Sequence, residues 1–379
     1  MNRRALDTIA FGEKLLALLD EGAFTSTYKF AVLLGLIDLC TERSGRDGKP
    51  PREIPSRSLA LKVIELYWPH SAPFRHGNIL KQNSSNQAKI ISLITDFQQE
   101  IEDGSSSHFQ ARLQAPELFE ALVFEVEWKL IEMPLPRLQR FGTEEDRFIY
   151  DLSWTAEPRR GAFSAGELDT TIALRPGAGE KLVSLSGLLR PLVQRQWAER
   201  VVRFNRNSVR EFELEDFLFG TSRTPPRRLV TDLRDLQNNE CFYCRSRLAT
   251  AVDVDHFIPW ARHPNDNIQN LVIAHRKCNS EKRDFLSATD HVQHWCEHRD
   301  QVGSQLEAVA QRHRWMSDLG RTQSVARAIY LRLRDDFRLW RVGSTFEKPD
   351  QLRLRRLFAS PYNAEDGQGV QKVAEPSPD

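Results

Sequence analysis

The feature that most constrains this chain is a pair of metal-binding motifs in its second half. Cys241 and Cys244 form a CxxC, and His275 and Cys278 form an HxxC about 30 residues later. A lone CxxC is as readily a redox pair or a chance spacing, but a second pair at this distance supplies four ligands for tetrahedral zinc. Because protein fills all four positions, the zinc is predicted to be structural and to supply much of the folding free energy of so short a module.

The residues between the two pairs have the chemistry of a hydrolytic site. Val252, Val254 and Phe257 alternate with polar residues in and just before the segment DVDHFIP, which predicts a strand with Asp253 and Asp255 on one face and His256 on the other. Asn270 and Asn279 follow, the second directly after a predicted zinc ligand. Each residue alone is more often a turn, cap or satisfied polar residue. Found together around the zinc ligands, they indicate a functional site.

This combination of an Asp-His pair, a central Asn and a late Asn resembles the HNH nucleases, including the HNH domain of RNA-guided CRISPR effector nucleases. The resemblance covers roughly residues 230–290, under a fifth of the chain. The third position holds Asn279 where many members have His, which is a common variant of the family pattern. The resemblance implies a zinc-bound ββα-metal fold: the Asp-His strand, a second strand, and a helix that opens near Cys278.

The resemblance also implies a role for each residue of the motif. Asp255 and Asn279 would hold one catalytic divalent cation, Mg²⁺ or Mn²⁺, through oxygen ligands. His256 would be the general base that takes a proton from water, and Asn270 would orient its imidazole. Lys282, three residues after Asn279 on one helical face, would add positive charge at the phosphate.

The implied function is a metal-dependent DNA endonuclease that hydrolyses phosphodiester bonds and, with one such site per chain, acts as a nickase. Two alternatives stay open: a zinc ribbon that binds nucleic acid or protein without cutting, and an HNH nuclease that cuts RNA. Substrate choice lies in the flanking surfaces, so the motif does not decide between them. HNH modules joined to unfamiliar helical regions often belong to bacterial antiphage defence or restriction systems. By that analogy, DNA and other defence proteins are the expected partners.

The rest of the chain has mostly helical periodicity, so the predicted fold class is α+β: a mainly helical protein with a zinc-bound HNH domain. The predicted domains are an N-terminal helical domain at 1–135, a mixed α/β region at 136–228, the HNH domain at 229–300, C-terminal helices at 301–358, and a disordered tail at 359–379.

An Arg-rich helix and the overall composition bear on partners and location. Arg203, Arg206 and Arg210 are candidate contacts to DNA phosphates, with a solvated basic face as the alternative. The formal net charge of +1 decides nothing, because phosphate binding depends on a local basic face. The longest apolar stretch is too short to cross a bilayer, and the first residues do not resemble a secretory signal. We therefore expect a cytoplasmic protein without membrane contact.

Overall fold

The structure is a computed structural model of the 379-residue chain, and its described residues divide into two compact units. It describes residues 3–20, 25–75, 77–101, 107–141, 143–154, 157–205, 211–220, 225–249 and 251–359. The first unit consists of Met1–Gly45, Lys49–Pro225 and Trp260–Pro264, and the second of Arg46–Gly48, Pro226–Pro259 and Asn265–Asp379.

The first unit is mainly helical, with short antiparallel strands. Its helices are α1 (Arg3–Asp20), α2 (Tyr28–Glu42), α3 (Ser56–Tyr67), α4 (Lys89–Glu100), α5 (His108–Gln114), α6 (Pro116–Glu132), α7 (Arg160–Ser164), α8 (Ala178–Phe204) and α9 (Glu211–Phe219). Its strands are β1 (Glu53–Pro55), β2 (Arg140–Phe141), β3 (Glu144–Glu145), β4 (Tyr150–Leu152) and β5 (Thr171–Leu174). The strands pair in the order β1-β5-β4, with β2 and β3 as a separate pair.

Helix α2 lies at the centre of the first unit because its sequence is apolar on nearly every face. It packs between α3 and α8, and the stretch from Phe30 to Cys40 is buried. Gly35 allows α2 and α3 to approach, since a Cβ at this position would lie only 2.7 Å from Leu59 Cδ1. The single acid of the stretch, Asp38, forms a buried ion pair with Arg190 of α8. That pairing offsets the cost of burying either charge alone.

The second unit contains the segment with the predicted zinc ligands. Its helices are α10 (Arg227–Leu236), α11 (Arg276–Lys282), α12 (Thr289–His313), α13 (Leu319–Tyr330) and α14 (Gln351–Ala359). Two antiparallel hairpins join β6 (Asp253–His256) to β7 (Leu271–Ala274) and β8 (Leu339–Val342) to β9 (Thr345–Glu347). Helix α12 runs across residue 300, the predicted boundary between the HNH domain and the C-terminal helices.

The β6–β7 hairpin is anchored in the core of this unit through the residue that follows β6. Phe257 is buried and stacks on Trp295 of α12, with ring centroids 4.8 Å apart. All four residues of β7 are buried as well, so the partly exposed residues of the hairpin lie on β6.

The predicted fold class is confirmed, because the protein is mainly helical with small sheets and contains the strand, strand and helix order of β6, β7 and α11. The predicted disordered tail lies outside the described residues apart from Ala359. Among the described helices, none combines the length and apolar character needed to span a bilayer.

Candidate functional site

The four predicted zinc ligands converge in the second unit. Each offers one donor atom, and all four donor atoms lie within 4.8 Å of one another. Cys241 and Cys244 lie in the turn after α10, while His275 immediately precedes α11 and Cys278 lies within that helix. Tetrahedral zinc with Zn–S bonds near 2.3 Å separates its ligand sulfurs by about 3.8 Å. The cluster is therefore compatible with a zinc ion held by three thiolates and one imidazole.

The contacts around the cluster resemble those of a metal site. His275 directs Nδ1 at Cys244 Sγ, 3.3 Å away, while its Nε2 contacts the Arg247 carbonyl at 3.1 Å. Such a contact on the second ring nitrogen is typical of metal-bound histidines. Desolvation raises the pKa of the Cys244 thiol, but hydrogen bonds from Ser246, Cys241 and His275 outweigh it and lower the pKa to about 7.

Cys278 shows the opposite effect, because it is buried next to two other sulfurs. Burial, and then repulsion from the sulfurs of Cys241 and Cys244, raise the pKa of the Cys278 thiol far above its usual value. Three thiolates so close together repel one another, and a bound divalent cation removes that repulsion by coordinating all three.

Strand β6 carries the predicted catalytic pair. Asp255 and His256 lie opposite Val272 and Leu271 of β7 in the antiparallel register. Helix α11 lies along the same strand, with Lys282 next to Asp255 and Asn279 next to Asp253. The hairpin and α11 thus bring the Asp-His pair, Asn279 and Lys282 together.

The two oxygens of Asp255 have different surroundings. Its Oδ2 accepts a hydrogen bond from the Tyr243 hydroxyl and forms an ion pair with Lys282 Nζ, 3.0 Å away. Burial and the nearby Asp255 carboxylate raise the pKa of the Tyr243 phenol well above its usual value, so the hydroxyl stays protonated and donates. Among the described residues, Oδ1 has no hydrogen-bond partner. Asp255 thus keeps one oxygen for a ligand from outside the protein.

His256 has a carboxylate partner that the sequence did not reveal. Its Nε2 lies 2.8 Å from Asp266 Oδ1, and the Asp266 side chain is only 9% exposed. The indole of Trp315 donates to the Asp266 carbonyl at 2.7 Å, which ties this part of the loop to the core. Asp266 lies four residues before Asn270 in an Asn-Asp-Asn turn. A turn of that composition is the only signal that could have drawn attention to it.

The two asparagines of the motif make different hydrogen bonds. Asn270 is fully buried; its Oδ1 accepts from the Ile258 amide at 2.8 Å, and its Nδ2 donates to the carbonyls of Ile258 and Asn265. Asn270 therefore joins the end of β6 to the loop that carries Asp266. Asn279 donates from Nδ2 to Asp253 Oδ2 at 3.1 Å. That bond orients the Asn279 amide, with its Nδ2 toward β6.

The Arg residues predicted to contact DNA lie elsewhere in the chain. Arg203 is exposed in the last turn of α8, in the first unit. Arg206 and Arg210 lie outside the described residues.

Comparison with known proteins identifies two regions of the chain. Residues 8–218, more than half of the chain, match the family described as "Domain of unknown function (DUF8808)". Residues 243–288 match the family described as "HNH endonuclease", a span that contains Asp255, His256, Asn270 and Asn279. A search of the curated proteins and a search of the solved structures each returned no match. The chain therefore belongs to the family described as "Domain of unknown function (DUF8808)", and it carries an HNH endonuclease domain with a cluster compatible with zinc.

Proposed function

We propose that this protein is a metal-dependent DNA endonuclease that hydrolyses one phosphodiester bond at a time. The observation that carries the proposal is the arrangement on β6 within the HNH match. A histidine bonded to a buried carboxylate follows directly after an aspartate with one open oxygen. A zinc ribbon that only binds nucleic acid needs its four ligands but neither of these two features.

His256 is the proposed general base. An ionised Asp266 accepts a hydrogen bond from Nε2–H of the neutral imidazole, which leaves the lone pair on Nδ1. Nδ1 then takes the proton from the water that attacks the phosphorus, and the bond to the 3′ oxygen breaks. Asp266 does not touch the substrate in this scheme, so it is a positioning residue that acts through His256.

Asp255 Oδ1 and Asn279 Oδ1 would hold the catalytic divalent cation, Mg²⁺ or Mn²⁺. The donor set fits, because both atoms are oxygens, which these cations prefer as ligands. Asp255 is oriented by the ion pair at its Oδ2, and Asn279 by the hydrogen bond from its Nδ2. When bound, such a cation stabilises the negative charge that develops on the departing oxygen. These two oxygens lie on adjacent elements, β6 and α11. The proposed zinc site lies at the start of α11 and would fix the position of that helix.

The proposal is tested by incubating zinc-loaded protein with supercoiled plasmid, linear DNA and RNA, with and without Mg²⁺ or Mn²⁺. We expect DNA cleavage that requires the divalent cation and stops on its removal. Cleavage of RNA alone would identify a ribonuclease, and DNA binding without any cleavage would identify a zinc-dependent binding module.

The product of plasmid cleavage should be a nick. One site positions one phosphodiester bond, and cutting both strands in a single event requires a second site facing the other strand. Relaxed circles should therefore accumulate first at limiting protein, and linear DNA should appear only later. Prompt linear product from protein shown to be monomeric would contradict one nick per site.

Asp266→Asn should lower kcat by about 10–100-fold and leave KM nearly unchanged, since partners that orient a functional histidine have effects of this size. The amide can still accept a hydrogen bond, but it lacks the charge that strengthens the bond to Nε2–H. Single-turnover cleavage measures the change.

Two further variants separate positioning from a loss of structure. Asp266→Ala should be slower still, and formate, which can occupy the vacated volume, should partly restore its rate. Asp284→Asn changes an exposed carboxylate of the same unit and should cleave normally. A normal kcat for Asp266→Asn would remove Asp266 from the scheme.

A further inference from the structure

Lys282 is a cationic residue whose entire side chain is buried. It lies at the end of α11 and is 0% exposed, with Nζ 3.0 Å from Asp255 Oδ2 and 3.0 Å from the His256 carbonyl oxygen. Nζ also lies 5.8 Å from the centroid of the Tyr243 ring. An ammonium group in such a place is costly unless it is paired. Its pair with Asp255 is therefore a fixed part of the folded unit and differs from a mobile surface contact.

This arrangement leaves the acidic face of β6 without net charge. Lys282 balances Asp255, and the Arg276 guanidinium lies 3.6 Å from Asp253 Oδ1. Asn279 is neutral. The affinity of a cation site rises with the number of charged ligands it offers. A divalent cation at Asp255 Oδ1 would meet a carboxylate that is already neutralised, and an ammonium held close by would repel it.

We propose, on the basis of the nuclease function above, that Lys282 is a built-in counter-ion that keeps the cation affinity of the free protein low. The divalent cation then binds together with the phosphodiester, whose negative charge supplies the attraction that the protein alone lacks. Because linkage is reciprocal, nucleic acid raises cation affinity by the same factor as the cation raises nucleic-acid affinity. The catalytic cation site is therefore occupied mainly when a nucleic acid is bound.

The proposal predicts that removing the charge of Lys282 tightens cation binding in the absence of nucleic acid. Lys282→Met keeps the length and apolar stem of the side chain, and Tyr243 still donates to Asp255. Titration of zinc-loaded protein with Mn²⁺, followed by electron paramagnetic resonance, should give an affinity at least about tenfold higher than wild type.

A matched control removes the same charge from the surface of the same helix. Lys277 is 83% exposed in α11 and lies 3.9 Å from Glu281. Solvent and salt screen its charge, so Lys277→Met should change the Mn²⁺ affinity by less than about twofold. Equal gains in the two variants would mean that only net charge matters, and this would overturn the assignment to Lys282.

Asp255→Asn separates the failure of this proposal from the failure of the proposed function. If Asp255→Asn binds Mn²⁺ like wild type, the cation is not at Asp255, and the metal site of the proposed nuclease is wrong. If Asp255→Asn loses binding while Lys282→Met binds no tighter than wild type, the nuclease site stands and the counter-ion proposal is overturned.

Circular dichroism and zinc content show whether Lys282→Met folds. If it does not fold, a second measurement tests the proposal with Lys282 in place. His256→Ala keeps Lys282 and Asp255 but should not consume the substrate. Its Mn²⁺ affinity is measured alone and with saturating duplex DNA, after subtraction of binding to DNA alone. We expect binding at least about tenfold tighter with DNA, within the usual range of coupling between sites. Equal affinities would overturn the proposal.

Discussion

His256→Ala is expected to lower the rate of DNA cleavage by about 10²–10⁴-fold, the usual contribution of a positioned general base. The imidazole is the proposed proton acceptor, and its Nε2 contacts the buried carboxylate of Asp266 at 2.8 Å. The variant should remain folded, because His256 is neither a zinc ligand nor part of the apolar core. Single-turnover cleavage measures the loss, while zinc content and DNA binding should stay at wild-type levels.

His313→Ala is the matched control. His313 lies in the same unit at the end of α12, where its Nε2 also contacts a carboxylate, Asp232, at 2.8 Å. It should cleave at the wild-type rate because it lies outside the HNH match. Wild-type cleavage by His256→Ala would mean that another group takes the proton. Loss of zinc from His256→Ala would mean that the variant tests structure instead of chemistry.

Cys278→Ser should have the second large effect, through the fold. Structural zinc in small modules contributes on the order of 10–16 kcal/mol of apparent binding free energy, and a serine hydroxyl is a poor replacement for a thiolate. We expect a protein without stoichiometric zinc, a lowered thermal transition and no detectable cleavage. Cleavage fails because Asn279 follows Cys278 directly, and because Tyr243, which donates to Asp255, lies between Cys241 and Cys244.

Cys296→Ser is the control for the loss of a buried sulfur. Cys296 is buried in α12 of the same unit and is not part of the cluster. It should keep one zinc per chain and lose only a modest amount of stability, since a small hydroxyl replaces a small apolar side chain. A Cys278→Ser protein that stays folded, lacks zinc and still cleaves would contradict the structural role of the ion.

The sequence predicted those parts of the site whose geometry is local. The zinc ligands come in two pairs, each within a single turn, so their spacing almost determines where the donor atoms point. Alternation along β6 likewise placed Asp255 and His256 on opposite faces before any tertiary contact was known. The α+β class followed from helical periodicity over long segments, which is the most dependable signal in a sequence.

The missing parts depend on contacts between residues with no periodic relation. Asp266 contacts His256 because the loop after β6 folds back. The sequence Asn-Asp-Asn predicts a turn but does not predict the path of this loop. The burial of Lys282 could not be predicted either. Its helical face was clear, but whether that face meets solvent or the core is decided by packing in the second unit. The roles of these residues in catalysis stay predictions until the variants are measured.

The path of the chain between His256 and Asp266 has a consequence for how the protein is synthesised. Residues Trp260–Pro264 belong to the first unit, although they lie inside the HNH match. His263 is buried there, with Nε2 3.0 Å from Glu42 Oε1. A nascent chain therefore cannot complete its first unit when residue 225 leaves the ribosome, and must wait until residue 264 has emerged. A fragment that ends at residue 225 leaves the buried Glu42 carboxylate without this imidazole, so it should melt at a lower temperature than the same unit in the full chain.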